Sequence, residues 1–140
     1  MKFRNLSANA VDAEPYLEAI QSTIGIALPN EYLNFLREFN GVRPFPPVEI
    51  ELPHGGTDLQ LFYGVGPGLN DVEKLDYWID LLERPEGIAI GNDSGANGFW
   101  ISLAKGDYGS VHFEHRDWKP NCCKLAENWG DFLRLFYEVE

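Results

Sequence analysis

The hydrophobic period of the chain changes along its length. Residues 12–23 place Ala13, Leu17 and Ile20, with Ile24 just beyond, on one helical face, and Pro15 falls in the first turn, where a missing backbone N–H costs little. Leu28-Pro29 closes that unit. Residues 30–39 repeat the period with Tyr32, Phe35, Leu36 and Phe39 and stop at Asn40-Gly41, a pair suited to the left-handed turn that ends a helix. After the Pro44-Phe-Pro-Pro47 loop the period becomes two: Val48, Ile50 and Leu52 alternate with Glu49 and Glu51 over 48–52, and Leu59, Leu61 and Tyr63 alternate with Gln60 and Phe62 over 57–63. Pro53-His-Gly-Gly56 turns between them, which predicts an antiparallel pair.

Helical spacing returns at 70–85. Asn70 followed three residues later by Glu73 is the signature of a capping box, and Val72, Leu75, Ile79 and Leu82 form an apolar stripe ending before Pro85. Strands are predicted at 88–90, 99–103 and 110–114. The first two are joined by a turn containing Gly91, Gly95 and Gly98, which can reach positive φ, and Asn92, Asp93 and Asn97, which can hydrogen-bond their own backbone. A last helix over 126–139 turns Trp129, Phe132, Leu133 and Phe136 inward. The predicted order is ααββαβββα, an α+β fold with a mostly antiparallel sheet and helices on one face. With no repeat, low-complexity tract or long linker, residues 1–140 are read as a single domain.

Composition narrows the function classes. A hydrophobic content of 44% supports a packed core, and no window approaches the roughly 18 apolar residues of a membrane span. Basic residues near the N-terminus are not followed by an apolar run, so no secretory signal is read and a cytoplasmic protein is expected. The adjacent Cys122 and Cys123 are poorly placed to bridge one another and read as reduced packing residues. Eleven basic against 22 acidic residues give a net charge of −11 and a pI of about 4.6. Nucleic acid is therefore not an expected partner, whereas a basic protein is.

Residues 49–86 hold nine acids and two bases, so most of the negative charge falls there. Glu73, Asp76, Asp80 and Glu83 recur at i, i+3, i+7 and i+10, one stripe of the predicted third helix. On the sheet, alternation sends Val48, Ile50, Leu59, Leu61, Ile101, Val111 and Phe113 inward. Glu49, Glu51, Gln60, Phe62, Trp100, Ser102, His112 and Glu114 then face outward. Trp100 and Phe62 among acids have the make-up of an interface anchor ringed by polar groups.

Reaction chemistry finds less support. His112 and Glu114 share a strand face, but a third metal ligand such as Glu49 or His54 would have to arrive through folding. His115 with Cys122 or Cys123 lacks the local signature of a nucleophile pair. Gly64-Val-Gly-Pro-Gly68 has the wrong spacing for a dinucleotide loop, and Pro67 removes an amide that a phosphate would use. The 92–97 turn lacks the carboxylates of a calcium loop. No catalytic residue, metal or cofactor is predicted.

Several segments taken in order resemble the SUKH superfamily, bacterial immunity proteins of polymorphic toxin systems together with fungal regulators of cell-wall synthesis. They are Ile24-Gly-Ile-Ala-Leu-Pro29 leading into Tyr32-Leu-Asn-Phe-Leu36 and Asn40-Gly41; Ile88-Ala-Ile-Gly91 with Asp93-Ser-Gly-Ala-Asn97; Gly109-Ser-Val-His-Phe113; and Trp129-Gly-Asp-Phe-Leu133. Val42 stands where the family often has a second glycine, and Ser94-Gly95 where it often has Gly-Gly. The resemblance implies a non-enzymatic protein that binds and blocks a toxin domain encoded beside it, often a nuclease or another enzyme acting on nucleic acids or nucleotides. A scaffold or regulatory adaptor, as in the fungal relatives, is the alternative; a minor hydrolase built on His112 is a third. The residues expected to meet the partner are Glu49, Glu51, Glu73, Asp76, Asp80, Glu83, Trp100, His112 and Glu114.

Overall fold

The structure, a computed structural model, describes residues 1–9, 11–53, 55–79 and 86–139. It is an α+β fold whose helices pack on one side of a large antiparallel sheet. In chain order the elements are β1 (Phe3–Asn5), α1 (Glu14–Ile24), α2 (Asn30–Glu38), β2 (Val42–Pro44), β3 (Val48–Ile50), β4 (Thr57–Asp58), β5 (Leu61–Phe62), a 3-10 turn (Asp71–Glu73), α3 (Leu75–Ile79), β6 (Gly87–Asn92), β7 (Gly98–Ser102), β8 (Val111–Glu114), β9 (Cys122–Ala126), α4 (Trp129–Leu133) and β10 (Tyr137–Glu138). Seven strands form the main sheet in the order β1-β2-β5-β6-β7-β8-β9, and β10-β3-β4 form a smaller one.

The core is aromatic. Phe35 of α2, Phe62 of β5 and Phe132 of α4 surround Trp129, whose ring lies 4.9 Å from those of Phe35 and Tyr32 and 5.2 Å from that of Phe62. Phe3 of β1 closes one side against Phe35 and Phe39. On the other, Phe99 meets Phe113, Phe132 and Phe136. Burial of this many rings supplies the largest favourable term of folding.

The first two helices follow the hydrophobic period closely. Gly41 takes a φ of +69° after α2, as an Asn-Gly terminus requires. Asn40 has a further role: its amide nitrogen donates to the Val65 carbonyl at 2.9 Å and its oxygen accepts the Val65 N–H at 2.7 Å. The helix end is thereby fastened to the chain leaving β5.

Three expectations fail for identifiable reasons. The single strand over 57–63 is two short strands in different sheets, because the chain crosses at Leu59 and Gln60: Leu59 N–H bonds to Val48 and Gln60 N–H to Asn92. The crossing shifts the alternation, so Phe62 points into the core with 1% exposure, not outward, and Leu61 lies on the opposite face. The long last helix is only five residues. Asn128 caps it by accepting the Asp131 N–H at 2.8 Å, and after Leu133 the chain extends so that Tyr137 and Glu138 pair with β3. Its predicted first residue, Ala126, belongs to β9, whose half-exposed Cys-Cys-Lys-Leu-Ala gives no clean alternation.

Candidate functional site

The small sheet carries an ordered acidic face. Val48 and Ile50 point into the core, each 1% exposed, so Glu49 between them points outward as expected, and Glu51 follows on the same side. Register places Glu49 between Tyr137 and Asp58. The Tyr137 hydroxyl donates to Glu51 Oε1 at 2.6 Å. That bond, with lost hydration and the negative charge of Glu51 and Glu49, pushes the phenol up to about 12, so it remains a neutral donor at physiological pH.

Asp58 links this face to the turn between β6 and β7. Its Oδ1 accepts both the backbone N–H of Ser94 at 3.0 Å and the Ser94 hydroxyl at 2.9 Å. Asp93, 2% exposed, accepts four bonds: from the Thr57 hydroxyl at 2.7 Å, Asn97 N–H at 2.8 Å, Gly95 N–H at 3.0 Å and Asn97 Nδ2 at 3.1 Å. Ala96 adopts a φ of +63° within this turn. A buried carboxylate saturated with donors holds β4 against the hairpin, so the exposed carboxylates stand on a fixed backbone.

The acids of residues 70–79 are arranged differently. The predicted capping box supplies a bond from Asn70 N–H to Glu73 Oε1 at 2.7 Å, but only a 3-10 turn follows it. Lys74 is extended and bridges Gly64, which donates to the Glu73 carbonyl and accepts from Leu75 N–H. The helix restarts at Leu75. Glu73 and Asp76 therefore do not share a helical stripe, and Val72, expected in the apolar stripe, is 51% exposed while Leu75 is fully buried. Glu73 is occupied as a cap and Asp76 is exposed. Asp80 and Glu83 lie outside the described residues.

On the main sheet Trp100 and His112 are cross-strand partners on the face away from Phe99 and Ile101, as alternation predicts. They are not open anchors. Their rings stack with centroids 4.1 Å apart, and exposures are 7% and 9%. His112 Nε2 lies 2.8 Å from the Ser110 hydroxyl and 3.1 Å from Asp107 Oδ2, and Asp107 Oδ1 accepts from Lys124 at 3.0 Å. Desolvation acts to raise the Asp107 carboxyl, but the Lys124 ammonium, with help from Ser110 and His112, outweighs it and holds the group below its usual range. Serine, histidine and aspartate are thus neighbours, yet both oxygens meet the same imidazole nitrogen. In a hydrolytic triad the aspartate orients the ring through the nitrogen opposite the nucleophile, so this arrangement is a packing network. Glu114 is half-buried, paired in register with Gly98 and Cys122. Among the described residues no three His, Cys, Asp or Glu side chains are grouped to hold a metal.

With the Leu-Pro entry to α2, the Asn40 clasp on Val65, the Asp93 turn and the Trp129 helix in place, a family assignment follows. The family model described as SMI1 / KNR4 family (SUKH-1) matches residues 13–135. The chain belongs to this family. The SMI1/KNR4 family is in general one of immunity or scaffold proteins, not enzymes. No curated protein and no solved structure gives a significant match. The matched span includes the small-sheet acids and the 92–97 turn, whereas β1 and β10 lie outside it.

Sequence reasoning missed Asp58, Asp107 and Tyr137 as contributors. Only Asp93 was signalled, by its spacing to Gly95 and Asn97; the others reach their partners across 36, 17 and 86 positions of sequence.

Proposed function

We propose that this SMI1/KNR4-family protein is an immunity protein that neutralises a cognate toxin domain by occluding it, and that the exposed face of β10-β3-β4 with the adjoining 92–97 turn is where the toxin docks. The observation carrying this reading is the register of Glu49, Glu51 and Asp58 on one sheet face, tied through Ser94 and Asp93 to the central hairpin. Preorganised carboxylates lose little freedom on binding and attract a basic partner over several ångströms. A toxin that acts on nucleic acid must itself be basic where it meets phosphates, so an acidic cover both fits it and blocks substrate. Asp76 adds negative potential without belonging to this face. Trp100, His112 and Glu114 support the sheet from within a packed network and act on binding only through its shape.

The test is co-expression with the toxin domain encoded beside this gene. The reading expects restored growth and a stable complex that co-purifies, with the free protein showing no hydrolysis of toxin or nucleic acid. Growth restored without a complex would contradict it.

A further inference from the structure

The strongest departure from the overall acidity lies on β1 and β2. Phe3 pairs with Pro44, Arg4 with Arg43 and Asn5 with Val42, and the Phe45 N–H donates to the Lys2 carbonyl at 3.0 Å, extending the ladder by one pair. Alternation then puts Lys2, Arg4, Arg43 and Phe45 on one face. The three cations are exposed, Phe45 is 51% exposed, and the Arg4 guanidinium carbon sits 3.9 Å from the centre of its ring. Two arginines directly opposed across an antiparallel pair repel one another, and among the described residues neither has a carboxylate partner. Across the next pairing β2 meets β5 through Val42 and Phe62.

The backbone adds a second, independent feature. β1 is an edge of the main sheet. The Lys2 carbonyl and Leu6 N–H both bond toward β2 and its flank, so by the antiparallel pattern the N–H and C=O groups of Phe3 and Asn5 point away from β2, along an edge that no other strand among the described residues pairs with. An open edge with alternating donors and acceptors is a template for an extended peptide.

We infer that β1 is a docking edge for an extended acidic peptide segment of a partner protein, which adds a strand beside Phe3–Asn5 and sets its carboxylates against Lys2, Arg4 and Arg43. A second copy of this chain does not fit, because antiparallel pairing of two β1 edges would set Lys2 and Arg4 of one copy against the same cations of the other. A nucleic acid would satisfy the cations but not the alternating backbone groups. This surface is separate from the acidic face of the small sheet, and the inference does not depend on the toxin reading.

The experiment titrates the full-length, isotopically labelled protein with a short blocked peptide alternating Thr or Val with Glu, followed by amide NMR and hydrogen exchange. Shifts and slowed exchange centred on the Phe3 and Asn5 amides are expected, with no binding of the counterpart carrying Lys in place of Glu. Arg4→Glu with Arg43→Glu should weaken the interaction about tenfold, as loss of two or three exposed charge pairs allows. Asn5→Pro removes one outward N–H without touching the inner ladder and should abolish the exchange protection, circular dichroism being unchanged. Absence of binding, equal binding of the Lys peptide, or binding of an oligothymidylate that is indifferent to Asn5→Pro would each overturn the inference.

Discussion

Two segments of similar acidity, 48–58 and 70–79, end in different physical states. The first places Glu49, Glu51 and Asp58 in register on strands whose other face is core, and bonds through Asp93 fix those strands to the central hairpin. The second has a comparable density of acids, but its backbone is drawn toward Gly64 between two short helical pieces, so Glu73 and Asp76 share no helical stripe. Acidic residues become a surface only when the backbone presents them together. Register in a sheet does so with few residues, whereas a helical stripe needs an unbroken helix.

The anchor of the first segment can be broken directly. Asp93→Ala would leave the Thr57 hydroxyl, two backbone N–H groups and the Asn97 amide without their acceptor. A loss of about 3 kcal/mol is expected from unsatisfied buried donors of this kind. Chemical denaturation with unchanged m-value checks it; a loss below about 1 kcal/mol would mean that the turn does not hold the small sheet.

The feature that interrupts the second segment is open to a smaller test. A Cβ at Gly64 would lie 2.5 Å from Asn40 Oδ1 and from Gly41 N, so Gly64→Ala forces apart the clasp between α2 and the chain after β5. About 2 kcal/mol of destabilisation follows from such overpacking. Thermal melts report it, and a neutral result would show that Gly64 is not packed tightly against the Asn40-Gly41 end of α2.

Much of this was legible in sequence where the period was strong and local. The α2 stripe, its Asn-Gly end, the β6-β7 hairpin and the Asn70/Glu73 cap all rest on neighbours within a few positions. The rest depended on distant partners. Nothing local announces that 57–63 changes sheets at Leu59, which reversed the facing of Phe62, or that residues 137–138 leave the last helix to pair with β3. Trp100 was placed on the correct face, but its stacking on His112 and its low exposure come from packing that alternation does not encode. The acidic candidates divided likewise: Glu49 and Glu51 face outward as expected, while Glu73 and Asp76 lost their common stripe.

The central claim is that the ordered acids of the small sheet, more than those of 70–79, steer the partner. Association kinetics with the cognate toxin at low and physiological salt, comparing Glu49→Lys with Glu51→Lys against Asp76→Lys, address it most directly. The account predicts that the double variant, with its fold intact, slows association about tenfold and loses most of its salt dependence, while Asp76→Lys changes the rate by less than about twofold, since exposed charges act through a field screened over about 8 to 10 Å. Equal effects of the two, or a larger effect of Asp76→Lys, would contradict it.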